Sequence, residues 1–323
     1  MDRIKSFWKD NRVYIVIFFI TVVVFNIRLP YYVSAPGGTI DITNRLSGED
    51  SKKINGSLNL LYVTEFEGTV PTVLMSFLFP DWDLEARKEV ELDGENGDDV
   101  YNRNRLMLDN SVKNATYVAY KYAGKDVKLT NIENVVIANT RDNGLEIGDV
   151  INRVNGKDVK SVEEIRDVLK ESKGSVNIDL VRDKKSKNID VSLDSDNKLG
   201  TVIMTNYDID TEDDLDIRFN SRESGSSGGM MLTLTIYSAI SGDDIIKGRK
   251  IAGTGTIDIN GNVGEIDGIK YKIMGAHKKG VDVVLVPSSN YKEAMRVKKD
   301  KGYDMEIVEV KTFSDAVNYL KNS

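Results

Sequence analysis

Two short stretches of the chain hold residue types whose spacing could do chemistry. The first is Ser224-Gly225-Ser226-Ser227-Gly228-Gly229-Met230-Met231-Leu232, a glycine- and serine-rich loop that runs straight into an almost wholly apolar helical pattern, MMLTLTIYSAI. A hydroxyl in that place stands at a helix N-terminus, where unpaired N–H groups and the helix dipole can hold a developing oxyanion. Gly225 and Gly228 flank Ser227 and let a substrate backbone approach closely. Taken alone, the pattern also describes a flexible turn with an N-cap. The second stretch is 264–277, where Gly268 opens a helix and Ile269, Lys272, Ile273 and Ala276 fall at i, i+3, i+4 and i+7. Lys272 thus lies on the apolar stripe, while Lys270 and Tyr271 point elsewhere. A lysine there is costly without a task or a partner. Desolvation lowers its pKa, and a neutral amine can act as general base toward a serine hydroxyl. For an isolated lysine the plainer account is a packed stem with its ammonium reaching water.

The elements that must position these groups form an α/β pattern from Lys198 onward. Strands are expected at 201–205, 215–220, 281–287 and 305–310, alternating with helices at 228–241, 269–279, 290–300 and 312–321. Upstream, 57–67 reads as a strand or hairpin arm. Residues 110–123 have helical spacing, with Val112, Ala115, Val118 and Ala119 on one stripe. The acidic run 91–99 reads as a solvated loop. The apolar segment 73–82 (VLMSFLFPDW) is either core or a piece lying on a membrane surface.

Between these parts a separate small module is expected at 125–195. It shows a strand (Val135-Val136-Ile137-Ala138), a turn at Asp142-Asn143-Gly144, and a hairpin signal at Asn155-Gly156. A helix follows, opened by Ser161 with Glu164 as a capping box, and its stripe is Val162, Ile165, Val168 and Leu169. Strands at 176–181 and 187–193 close the module.

At the N-terminus, residues 1–12 carry Arg3, Lys5, Lys9 and Arg12, and the apolar run 13–25 is interrupted only by Thr21. Extended to Val33, the run as a helix approaches the roughly 30 Å of a bilayer core. Residues 13–33 are therefore read as a transmembrane anchor in contact with lipid. Arg28 would snorkel, Pro30 would end the helix, and Tyr31 and Tyr32 would lie at the interface. The basic cluster places the N-terminus in the cytoplasm and the remainder outside the cell. A cleaved signal peptide, with Val33-Ser34-Ala35 as its site, is the competing reading, although Pro36 would hinder cleavage.

Composition limits the function classes. The chain has 323 residues, 40% of them hydrophobic, and a formal net charge of -7, which argues against nucleic acid as a partner. It contains no cysteine and one histidine, His277, so thiolate sites, disulfides and multi-histidine metal sites are excluded. No cofactor or metal is expected.

Together, the Ser227 loop, Ala252-Gly253-Thr254-Gly255-Thr256-Ile257 and the 264–277 stretch resemble the proteolytic domain of Lon-type serine peptidases. The resemblance implies a Ser–Lys dyad of Ser227 and Lys272, with Thr254 matching a family threonine near the lysine. Lys272 matches rather than Lys270, because the family's stretch reads G-G-[LI]-x-x-K. This chain departs in having Ser226 and Gly228 where the family carries Pro and Ala, and Asp267 in place of a Gly. An acidic residue usual three before the nucleophile is Ser224 here, with Glu223 one position off. The run L-x-I-G-D-V-I-x-x-V-N-G-x-x-V-x-S-x-x-E, from Leu145 to Glu164, resembles a PDZ domain and implies peptide binding beside a sheet edge. No Gly-φ-Gly-φ loop precedes its first strand, where Asn131-Ile132-Glu133-Asn134 stands, and a structural spacer is the bland alternative.

The whole arrangement resembles the bacterial membrane-bound, PDZ-containing Lon-like peptidases. It implies an α/β (α+β) Lon-type domain built from 35–124 and 196–323, with the PDZ-like module inserted and a transmembrane helix ahead. No P-loop, G-x-x-x-x-G-K-[ST], occurs, so ATP is not an expected partner. The expected function is ATP-independent endopeptidase action on secreted peptides or extracytoplasmic proteins. Two alternatives remain open. One is a non-catalytic membrane-tethered PDZ scaffold. The other is an α/β-hydrolase-type esterase using Ser227 and His277, since Gly225-x-Ser227-x-Gly229 also fits a nucleophile elbow.

Overall fold

The computed structural model describes residues 2–48, 52–92, 95–212 and 215–323. Its Cα packing divides the chain into two compact units, one of 1–36 with 63–90, the other of 37–62 with 91–323.

The chain begins with α1 (Asp2–Phe25) and passes into β1 (Arg28–Asp41), β2 (Leu46–Ser47) and β3 (Ser57–Thr69). It continues through α2 (Val70–Ser76), β4 (Asp83–Ala86), α3 (Arg87–Val90) and the long α4 (Gly97–Tyr122). In the first unit β4 runs antiparallel to β1, with Tyr31 opposite Ala86 and Val33 opposite Leu84. The expected helical span 13–33 is corrected here. The helix stops at Phe25, where the Asn26 amide turns back onto the Val22 carbonyl, and 28–33 are strand. The bulky run Tyr31-Tyr32-Val33 favours a pleated surface, and with β4 as partner it pairs rather than coils. Tyr32 is buried, and Arg28 binds Glu67 at 2.8 Å instead of reaching for headgroups. Among the described residues, no helix is long and apolar enough to cross a membrane.

The acidic run expected as a loop instead starts α4. Asn96 accepts from the Asp98 and Asp99 N–H groups, and the Asp99 side chain reaches back to complete a capping box. Two carboxylates in the first turn also suit the helix dipole. Asp93 and Gly94 of that run lie outside the described residues.

The module follows as β5 (Val127–Asn139), β6 (Val150–Val154), β7 (Lys157–Asp158), α5 (Val162–Glu171), β8 (Ser175–Arg182), β9 (Lys185–Ser192) and β10 (Thr201–Thr211). These strands form one sheet in the order β10-β5-β6-β8-β9, with β7 alongside β6. The sheet therefore takes in β10, beyond the range 125–195. Ile151, Val154, Ile165, Ile178 and Leu180 form a core of its own. Ser161 caps α5 through the Glu164 N–H, while Glu164 accepts from the Lys160 N–H rather than from Ser161.

The last part comprises β11 (Asp216–Ile217), α6 (Gly229–Ser241), β12 (Lys250–Gly253), β13 (Thr256–Ile257), β14 (Val263–Gly264), α7 (Ile269–Lys278), β15 (Val283–Pro287), α8 (Ser288–Lys301), β16 (Glu306–Val310) and α9 (Phe313–Asn322). Strands β16, β15, β12 and β3 lie side by side, joined by parallel pairings. The strand expected at 215–220 shrinks to the two residues of β11, paired with β2. Helix α6 is buried along its whole length to Ile240, which an almost uninterrupted apolar sequence allows. Its Thr233 and Thr235 hydroxyls donate to the Gly229 and Met231 carbonyls one turn back, so neither is left unpaired. Met230, Leu234, Leu58, Val118 and Phe313 pack in one core around it.

Candidate active site

Ser227 is half-buried, one residue ahead of the Gly228 N-cap of α6. Its loop is stitched on two sides. The Gly225 N–H donates to the Asn104 carbonyl of α4 at 2.8 Å, and Ser111, also on α4, donates to the Ser226 carbonyl at 3.2 Å. On the other side the Gly255 N–H donates to the Ser227 carbonyl at 2.7 Å, and the Met230 N–H to the Gly255 carbonyl at 3.0 Å. Gly225 has φ +90°, a conformation that favours glycine. At Gly228 a Cβ would lie 3.0 Å from Leu60 Cδ2, a tight contact with the end of a flexible side chain.

Lys272 lies in the first turn of α7 with Ile269, Ile273 and Ala276 buried around it, and is itself 4% exposed. Its Nζ donates to Thr254 Oγ1 at 3.2 Å. Thr254, fully buried between β12 and β13, donates its own hydroxyl to the Ser227 carbonyl at 3.1 Å. The structure thus joins Lys272, Thr254 and the Ser227 backbone in one chain of contacts. Burial pushes the Lys272 pKa down to about 8, against the nearby Asp267 carboxylate, which favours the charged form. Roughly a tenth of such an amine is neutral at pH 7, the form a general base needs.

His277 is placed elsewhere. It lies exposed in the last turn of α7, stacked on Tyr303 with centroids 3.8 Å apart. It is about five residues, or roughly 7 Å of helical rise, beyond Lys272. That position gives the hydrolase reading no support. A groove of about 1050 Å³ runs along α8, lined among others by Lys292, Arg296 and Tyr303, and neither Ser227 nor Lys272 lines it. Among the described residues no cluster of His, Asp and Glu could hold a metal ion.

Three supports of the site were not legible in the sequence. Asn290 of α8 is buried and grips Ile266 through both its N–H and its carbonyl, at 3.0 and 2.9 Å, fixing the turn into α7. Arg45 binds Glu223 at 2.5 Å. Burial opposes ionisation of Glu223, but Arg45 and the Asn220 N–H hold its carboxyl below the usual range. Glu223 thus serves as a clamp on the loop base. Ser111 is the third. All are single polar residues in ordinary surroundings, and only distant pairing gives them a role.

A buried lysine joined through a threonine to a serine at a helix N-terminus is the arrangement of a serine-type hydrolase site without histidine. Residues 212–321 match the family model of the Lon protease (S16) C-terminal proteolytic domain. The Lon protease of Mycoplasma pneumoniae is 35% identical over 100 residues, covering 31% of this chain and 12% of that protein. The Lon protease of Campylobacter jejuni is 35% identical over 98 residues, with 30% and 12% covered. The match therefore spans about an eighth of the length of these relatives. The PDZ domain of the SdrC-like protein from Listeria monocytogenes is 24% identical, covering 24% of this chain and 92% of that one, at a TM-score of 0.22.

Proposed function

We propose that this protein is an ATP-independent serine endopeptidase in which Ser227 is the nucleophile and Lys272 the general base. The observation that carries the reading is the buried Lys272–Thr254–Ser227 connection, with a lysine pKa near 8. Neutral Lys272 takes the Ser227 hydroxyl proton as Oγ attacks the scissile carbonyl. The tetrahedral intermediate collapses to an acyl-enzyme while the lysine's proton goes to the leaving amine. Water, deprotonated by the same amine, then releases the acid.

The proteolytic unit is read as drawing on residues upstream of the module as well. Ile42, Leu58, Ala115 and Val118 share one apolar core with Met230, Leu234 and Phe313. The module is read as a PDZ-like peptide binder from its Leu145–Glu164 motif and its capped helix.

Membrane attachment and extracytoplasmic substrates belong to the same proposal. Val13, Ile17, Phe18, Ile20 and Val23 are all more than half exposed on α1, and Phe77 and Leu78 after α2 are about three-quarters exposed, at 75% and 76%. So much apolar surface on both elements is expensive in water and suits a lipid surface.

Comparing the peptides released by cells carrying the wild type and Ser227→Ala tests the reading. Products present with the wild type and absent with Ser227→Ala are expected. Identical profiles would overturn the dyad and favour a non-catalytic scaffold.

A further inference from the structure

Helix α4 touches two parts of the molecule that the chain otherwise separates. Asn104 and Ser111, two turns apart on one stripe, hold the Ser227 loop through the Gly225 N–H and the Ser226 carbonyl. Asn110 and Asn114 lie on the neighbouring stripe. The Asn110 amide donates to the Thr205 carbonyl of β10 at 3.0 Å, and Lys113 Nζ to Asn206 Oδ1 at 2.9 Å.

Asn114 faces both ways. Its Nδ2 donates to the Ile257 carbonyl at 2.8 Å, two residues past the Gly255 that binds the Ser227 carbonyl. Its Oδ1 accepts from the hydroxyl of Tyr207, a β10 residue 4% exposed. Strand β10 stands at the edge of the module's sheet, so it is the strand that anything docking on that edge would move.

We propose that α4 is a positioning strut: through Asn110, Asn114 and Ser111 it transmits the placement of β10 to the Ser227 loop. The idea rests on Ser227 being the nucleophile only for its effect on catalysis; the mechanical link stands on the contacts alone. Ser111 has little freedom to yield. It is 2% exposed, and a Cβ at Gly229 would lie 2.8 Å from its Oγ. A shift of α4 therefore carries the loop with it rather than being absorbed by slack.

Amide hydrogen exchange of the full-length protein, read at Gly225 and Gly255, tests the link in Tyr207→Phe and Asn110→Ala. Neither residue touches the loop, and Tyr207→Phe keeps the packing while removing one donor. Asp109→Ala, at an exposed position on α4, is the control. Exchange about tenfold faster at both glycines in the two variants, and unchanged in the control, is expected. A fall in kcat of about tenfold with KM within twofold should accompany it, recovering in Asn110→Gln. Unaltered exchange at both glycines in a folded Tyr207→Phe protein would overturn the strut, even if Asn110→Ala fails to fold. Faster exchange in a protein whose wild type cleaves no peptide would leave the strut standing and remove the peptidase reading instead.

Discussion

Lys272 Nζ lies 3.2 Å from Thr254 Oγ1, and that hydroxyl in turn donates to the Ser227 carbonyl, so lysine and serine are joined through one buried threonine. The threonine has a single hydroxyl proton, and the serine's backbone takes it. Its lone pair is thereby left facing the lysine, and holds Nζ whether the amine is charged or neutral.

Thr254→Val removes both contacts while preserving shape. A fall in kcat of about 10- to 100-fold is expected, with Thr254→Ser recovering most of it. Steady-state kinetics on one fluorogenic peptide would decide. Equal activity in all three proteins would remove Thr254 from the site.

The pH profile follows from burial of the lysine. With the Lys272 pKa lowered to about 8, the active neutral form gains on the acid side, so kcat/KM should rise tenfold per unit below pH 8 and level off above it. Asp267 favours the ammonium. Asp267→Asn should therefore move the midpoint to lower pH, and a midpoint that stays or rises would contradict the assignment.

Stability should also rise with pH, but in a higher window than activity does. Lys272 holds its proton up to about 8 in the folded chain, against 10.5 for an ordinary lysine. The unfolded chain thus binds more protons between these values, and stability rises with pH across that window. Below pH 8 the cost of the buried lysine is felt in full. Lys272→Met should abolish activity yet raise stability at pH 7 by about 1–3 kcal/mol, read from the shift in chemical denaturation midpoint.

Gly229→Ala should be severe. A Cβ there would lie 2.7 Å from Ile257 Cγ2 and 2.8 Å from the Ile257 backbone nitrogen, and backbone cannot swing aside. A loss of about 1–3 kcal/mol is expected, along with a disturbed Ser227. Thermal melting measures the first and peptide hydrolysis the second.

Phe77→Asp combined with Leu78→Asp should cut binding to phospholipid vesicles in a flotation assay, with little change in melting temperature because both side chains face solvent. Undiminished flotation would leave α1 as the only candidate for membrane contact.

The sequence revealed those parts of the fold that pattern specifies locally. The apolar runs fixed α6, α7 and β15 within a few residues, and the stripe through Ile269, Lys272 and Ile273 singled out the buried lysine. What it hid depends on distant pairing. Residues 28–33 look like the tail of a span until β4 is there to pair with them. Asp98 and Asp99 look like loop residues until Asn96 caps them into α4. Ser111, Asn290 and Arg45 carry no local signal, since their partners lie 24 to 178 positions away.

The stack of His277 on Tyr303 gives the molecule a built-in reporter. The chain contains one histidine, so its imidazole protons would form a single isolated pair of lines in a proton NMR spectrum, displaced by the ring current of a tyrosine 3.8 Å away. Because His277 shares α7 with Lys272, those lines would register motion of α7 without any label being introduced.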